Sequence, residues 1–342
     1  MMLTSCVGSS KLFEAVWPKL GAKIDIVAAN IRQHVEQMRN EVAVQHIKEA
    51  SSARVKSLAQ FDQENEFQEL QRFQALRINL SPRMYDDDLD WFLNRACPGS
   101  DKWLLAHQSF QEWLEGESIP AATPRIWLRG MPGAGKTFLC AAAVREARRR
   151  CRSLFIFASH RVSSTARSIL LSLLFQLALD ERYVRSVLVE LDERNLRSSM
   201  DYVSEHLTEL LDGAGPTYII IDGLDEVDPV ERRILLHQLA KLEKCPEVKV
   251  MVGSRPEDDI ARILDSTFAP IRVDKNNLGS IQLYVNQRTR DWIESVGFDE
   301  DARDQLQHLL APIAPNANGA SSLLVTTLVG TNNFQACFFT HG

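Results

Sequence analysis

The segment Gly130-Met131-Pro132-Gly133-Ala134-Gly135-Lys136-Thr137 limits the fold of this chain more than any other feature. It fits G-x-x-x-x-G-K-[ST], a glycine loop whose backbone N–H groups can turn toward phosphate oxygens. An apolar run, 126–128, precedes it, and a helical pattern from Phe138 to Arg150 follows. A strand, the loop and a helix in that order put the loop at a helix N-terminus, whose partial positive charge adds to the cradle. Residues 130–138 are therefore the candidate nucleotide-binding set: the eight above plus Phe138. Lys136 is expected to reach the β- and γ-phosphates, and the Thr137 hydroxyl to bind Mg²⁺. The expected ligand is ATP or GTP with Mg²⁺; no NKxD-type guanine motif is apparent, which favours ATP.

A second constellation follows at Tyr218-Ile219-Ile220-Ile221-Asp222-Gly223-Leu224-Asp225-Glu226. An apolar strand ending in an aspartate suits the far side of a Mg²⁺ shell, so Asp222 is the second candidate metal residue. Asp225 and Glu226 lie just past the strand end, where a carboxylate can orient or deprotonate an attacking water. Spacing leaves open which of the two is the stronger base. A third piece, Val248-Lys249-Val250-Met251-Val252-Gly253-Ser254-Arg255-Pro256, ends a further apolar run with a fixed cation. Arg255 is the candidate sensor of a γ-phosphate.

Apolar runs at 126–128, 154–157, 218–221, 248–252 and 271–273 alternate with helical patterns. That alternation predicts an α/β fold, a parallel sheet covered by helices on both faces. Upstream, Ile24, Val27, Ile31, Val35, Met38 and Val42 recur at helical spacing, and Val55, Leu58, Phe67, Leu70, Phe73 and Leu76 form a second stripe. Two stripes predict a helical hairpin or bundle before the sheet, with the stripes as its core. The expected organisation is a helical region at 1–80 and a bridging segment at 81–124. The sheet domain then spans 125–275, the start of a helical lid 276–310, and a tail 311–342. The bridging segment holds Trp91, Trp103 and Trp113, which predicts packing against something large. The tail has no Asp, Glu, Lys or Arg and is expected to be truncated or disordered.

These motifs together resemble the NACHT class of P-loop signalling NTPases, in the nephrocystin-like form common among fungal proteins of self/non-self recognition. Asp222, a small residue, an apolar residue and then two acids carry the resemblance with the loop and Ser254-Arg255-Pro256. Residues 97–105 resemble the lead-in of that class, although Gly99-Ser100-Asp101 stands where Gly-Thr-Gly is usual. Asn316-Ala317-Asn318-Gly319 matches the start of a helix that then departs from the family pattern. The resemblance implies a nucleotide-dependent switch with slow hydrolysis, whose N-terminal helices engage an effector or further copies of the chain. Two other readings stay open, a turnover ATPase of remodeller or kinase class and an inactive fragment of a longer protein.

Charge and cysteine usage narrow the partners. A net charge of −6 offers no global attraction for nucleic acid, so none is expected as a partner. No apolar run reaches the ~18 residues of a membrane helix. Six scattered cysteines without zinc spacing read as reduced thiols of a cytoplasmic protein. Arg145, Arg148, Arg149, Arg150 and Arg152 are read as structural cations at a helix C-terminus.

Overall fold

The computed structural model describes residues 7–115, 125–162, 164–242 and 245–296. The expected tail and residues 297–310 of the expected lid lie outside the described residues. By its internal contacts the chain divides into two units, Met1–Gln71 and Arg72–Gly342.

The N-terminal region is helical, as its periodicity predicts, but it forms one helix, α1 (Val7–Leu80), in place of a hairpin or bundle. The reason is visible in the chemistry of the chain. Between positions 22 and 80 there is neither glycine nor proline, so nothing supplies a turn. The stripe read as core is instead open: Ile24, Val27, Ile31, Val35, Met38 and Val42 are 47–66% exposed. In the second unit, the last turns of α1 bury Phe73 and Leu76. The Phe73 ring lies 5.5 Å from Phe175.

Three short helices bridge to the sheet: α2 (Asp86–Arg95), α3 (Lys102–Leu105) and α4 (Gln108–Glu115). Phe110 and Trp113 are fully buried, and Tyr218 donates its hydroxyl to the Leu114 carbonyl at 2.6 Å. Trp91 departs from the packing expected of the three tryptophans; it is half exposed, with the Arg95 guanidinium stacked 4.2 Å above its ring.

The sheet unit then runs β1 (Arg125–Arg129), α5 (Lys136–Arg148), β2 (Arg152–Phe157), α6 (Ala166–Asp180), α7 (Arg182–Leu188), α8 (Glu193–Ser198) and α9 (Met200–Ala214). It continues with β3 (Thr217–Asp222), a 3-10 turn (Leu224–Glu226), α10 (Pro229–Lys241), β4 (Val248–Ser254), α11 (Asp258–Leu264), β5 (Ala269–Arg272), α12 (Val273–Asn276) and α13 (Leu278–Val296). All pairings are parallel, in the order β2-β3-β4-β1-β5. Every residue of β3 is buried, the pattern of a strand covered on both faces. The run expected at 271–273 ends one residue early, because Val273 opens α12.

β2 is an edge strand, and its open side is closed by a side chain. Gln176 of α6 accepts from the Phe155 N–H and donates to the Phe155 carbonyl, both at 2.9 Å. The amide thus mimics a neighbouring strand at Phe155 and blunts the edge there. Arginines after the loop helix serve the same packing. Arg145 pairs with Asp101, Arg148 with Asp86 and Arg150 with Glu115, which ties the bridging segment to α5.

Two glycines are required where β3 and β4 end. Gly223 has φ +74°, and a Cβ there would meet the Ala158 carbonyl oxygen at 2.6 Å. A Cβ on Gly253 would lie 2.5 Å from Asp222 Oδ1 and 2.7 Å from Cys140 Sγ. Gly213 in α9 has nothing within 4 Å. Gly253→Ala is therefore expected to lower stability by about 1–3 kcal/mol through overpacking. Gly213→Ala is expected to be neutral or stabilising by up to ~1 kcal/mol, from helix propensity. Urea unfolding of the two variants checks the opposite signs.

Candidate functional site

The loop between β1 and α5 follows from its glycines. Gly133 and Gly135 have φ of +71° and +88°, a region that side chains rarely adopt. These two left-handed residues let the chain curl just before α5 begins at Lys136. The resulting concavity at a helix N-terminus suits an anion. Lys136 Nζ donates to the Gly130 carbonyl at 2.8 Å and to the Met131 carbonyl at 3.0 Å. Burial pulls the Lys136 amine below its usual range, while the charges of Asp225 and Asp222 hold it up. A phosphate placed in the loop would replace two neutral carbonyls with an anion, a stronger partner for the amine.

Thr137 is the next residue of α5, and its hydroxyl lies beside the Asp222 carboxylate. Asp222 ends β3 and is buried to 3% exposure. Burial pushes its carboxyl up to about 6, against hydrogen bonds from Thr137 and Cys140 and the Lys136 charge. A hydroxyl and a carboxylate side by side at the loop are oxygen donors suited to Mg²⁺. No cluster of three or more His, Cys, Asp or Glu able to hold a metal occurs among the described residues.

The register brings the other candidates to the same edge. Asp222 is paired with Gly253, and β4 lies between β3 and β1, so Arg255 emerges beside the acidic turn. Asp225 Oδ1 accepts from the Arg255 backbone N–H at 3.0 Å, and Oδ2 pairs with Arg255 Nε at 3.0 Å. The Asp225 side chain is 4% exposed and that of Arg255 40%. Glu226 Oε2 accepts from the His160 N–H at 3.1 Å. Below the turn, buried Arg232 donates to the Asp225 carbonyl and pairs with Glu257 and Asp259. Asp228 caps α10 with Pro229 in its first turn, which ends the acidic turn and fixes its exit.

A cavity of about 480 Å³ joins these parts. Pro132, Gly133, Ala134, Gly135, Lys136, Thr137, Phe138, Asp222, Asp225, Glu226 and Arg255 all line it. Gly130 and Met131 are not among its lining residues, although their carbonyls hold Lys136. The far end is formed by residues that motif reading missed: Trp91 and Arg95 of α2, Trp103 of α3, and Ile281, Tyr284 and Arg288 of α13. Their aromatic and guanidinium groups have no fixed spacing from the loop, so no linear pattern marks them. Cys97, in the lead-in segment, bonds Gln287 of α13 at 3.0 Å. Ser280 donates to the Ser100 carbonyl at 2.6 Å.

Comparison with known proteins agrees with the motifs. Residues 99–255 match the family described as Nephrocystin 3, N-terminal. The chain is 25% identical over 209 residues to the vegetative incompatibility protein HET-E-1 of Podospora anserina, over 57% of this chain and 15% of that protein. It thus spans well under a fifth of that relative's length. Among solved structures it is similar to Cdc6p of Pyrobaculum aerophilum, with TM-score 0.38, 18% identity, and coverage of 55% of this chain and 48% of that one. It is also similar to the Orc1 protein of Aeropyrum pernix in complex with DNA, with TM-score 0.41, 17% identity, and coverage of 71% and 64%. At these scores the structural likenesses add no argument, and the fold rests on the sheet order and the loop. The chain has an α/β P-loop fold by its sheet order and loop, and its residues 99–255 are similar to the nephrocystin 3 N-terminal family.

Lys136 is the one cation inside the loop, so its removal should be the most costly single change for a phosphate ligand. Lys136→Ala is expected to weaken ATP binding by about ten- to a hundredfold, from the loss of ~1.5–3 kcal/mol of charge-assisted contact. A fluorescence or calorimetric titration of the full chain checks it; unchanged affinity would contradict the assignment.

Proposed function

We propose that this chain is a nucleotide-dependent signalling switch that binds ATP, or GTP, with Mg²⁺ and hydrolyses it slowly. The observation that carries the reading is the contact between Thr137 and the buried Asp222, at the first turn of the loop helix. It joins a phosphate cradle to a candidate metal site. In this reading Lys136 leaves the Gly130 and Met131 carbonyls for the phosphates, and the loop N–H groups hold their oxygens. Thr137 and Asp222 hold the Mg²⁺, which when bound neutralises phosphate charge and polarises the phosphoryl oxygens.

The two acids of the turn take different roles. Both oxygens of Asp225 are engaged by Arg255, so Asp225 is a poor proton acceptor while that pair stands. Glu226 lines the cavity with one oxygen held by His160, which leaves the other able to orient a water and take its proton. Arg255 then serves as the state sensor. A γ-phosphate competes with Asp225 for its guanidinium, whereas a diphosphate leaves the ion pair intact.

The domain reading follows the same logic. Residues 125–275 form the NTPase core, 81–124 bridge to it, and 276–310 begin a lid, a role supported by the place of α13 on the cavity. The exposed stripe of the N-terminal helix is the surface offered to an effector or to further copies of the chain, in a cytoplasmic setting. No helix among the described residues is long and apolar enough to cross a membrane.

Glu226→Gln is expected to lower turnover by about a hundredfold or more while Mg²⁺·ATP still binds. Parental turnover should lie below the enzyme median of roughly 10 s⁻¹. Full turnover in the variant, measured by phosphate release, would contradict the role of Glu226. Arg255→Ala is expected to narrow the affinity gap between ATP and ADP, since only the triphosphate presents the extra charge. Equal losses for both nucleotides would make Arg255 structural only.

A further inference from the structure

Asp222 has a second donor that no motif includes. Cys140 stands three residues after Thr137 on α5, so the two side chains share one helix face. That face points at the end of β3. Thr137 and Cys140 both lie against the Asp222 carboxylate. Cys140 is fully buried, and so is Gly253 on the neighbouring strand. The space left by the glycine is the space the thiol uses: a Cβ at position 253 would lie 2.7 Å from Sγ and 2.5 Å from Asp222 Oδ1. Three chain segments, from α5, β3 and β4, thus converge on one carboxylate. Leu139, not Cys140, lines the cavity, so the thiol is one layer behind the ligand.

A hydroxyl that ligates a metal through its lone pair can keep donating its proton to a carboxylate. One such bond leaves the carboxylate free to rotate about its final torsion, which is broad and roughly two-fold. A second donor on the protein side removes that freedom. We propose that Cys140 is a positioning residue for the metal site, whose S–H bond to Asp222 orients the carboxylate and so sets the affinity for Mg²⁺ without touching the ion. This rests on the reading of Thr137 and Asp222 as the Mg²⁺ residues. Partners of metal-site residues typically change metal affinity by about 10–100-fold, and a thiol is a weak donor, so about three- to tenfold is expected here.

The test is a set of nucleotide titrations on the full chain, with a fluorescent ATP analogue, at Mg²⁺ concentrations from none to saturating. Cys140→Ala is expected to raise the Mg²⁺ midpoint by about three- to tenfold while leaving the Mg²⁺-free affinity within about twofold of the parent. Cys140→Ser, which keeps a donor, is expected to stay at the parental midpoint or below it. In an Asp222→Asn background the Cys140→Ala shift should vanish, as a coupled pair requires. A packing defect has a different signature, because it lowers affinity with and without Mg²⁺ and is not repaired by serine. The inference is overturned by an unchanged midpoint in the alanine variant, by equal shifts in alanine and serine, or by a shift that persists beside Asp222→Asn. Should the alanine variant fail to fold, the serine variant decides alone, and a raised midpoint there overturns the inference. A parent chain that binds no nucleotide at any Mg²⁺ concentration contradicts the proposed function itself, a result separate from any difference among the variants.

Discussion

The site depends on one buried anion. Asp222 lies at the end of a strand covered on both faces, where an unpaired carboxylate would cost several kcal/mol. It is retained because the Thr137 hydroxyl and the Cys140 thiol lie beside it and Lys136 places a cation nearby. All three groups belong to the first turns of α5, so the helix that follows the loop faces the end of β3 with the same residues that its ligand would use. Burial still wins the balance, and the carboxyl sits near 6. A divalent cation beside the carboxylate would relieve that cost.

The strand order explains why this anion meets the other functional groups. Inserting β4 between β1 and β3 puts the loop, Asp222 and Arg255 on consecutive strand ends. The ends can approach closely only because Gly223 and Gly253 carry no Cβ. Arg232, buried at 3% exposure beneath the turn, joins the Asp225 carbonyl to Glu257 and Asp259, so the β3 and β4 exits form one polar unit. Into that unit Arg255 and Asp225 place an ion pair, the contact for which the proposed γ-phosphate would compete. The arrangement is therefore set by sheet topology first and by individual side chains second.

Much of this was legible in the chain. The loop, the aspartate strand and the Ser254-Arg255-Pro256 turn are local patterns, and the structure brings their residues onto a single cavity. What failed to be legible was non-local. The far wall of the cavity combines α2 with α13, almost two hundred residues apart, through ordinary tryptophan, tyrosine and arginine residues. Trp91 reads as core by its size, yet it is half exposed because it stacks under Arg95 at the cavity. The hairpin expectation came from two apolar stripes; the lack of any glycine or proline after Gly21 was the signal that outweighed it. Cys140 and Gly253 look like unremarkable small residues until the register places them around Asp222.

The central claim is that the phosphates of a Mg²⁺-bound nucleotide rest on the N-terminal turn of α5, with the rest of the ligand running toward α2 and α13. Amide hydrogen exchange of the full chain, with and without saturating Mg²⁺·ATP, tests it most directly. The account predicts slowed exchange at residues 133–138 and in the segments around Trp91 and Tyr284, because loop N–H groups become hydrogen-bonded and the cavity walls are covered. Nucleotide binding that leaves residues 133–138 exchanging at their free rate, with protection elsewhere, would contradict it.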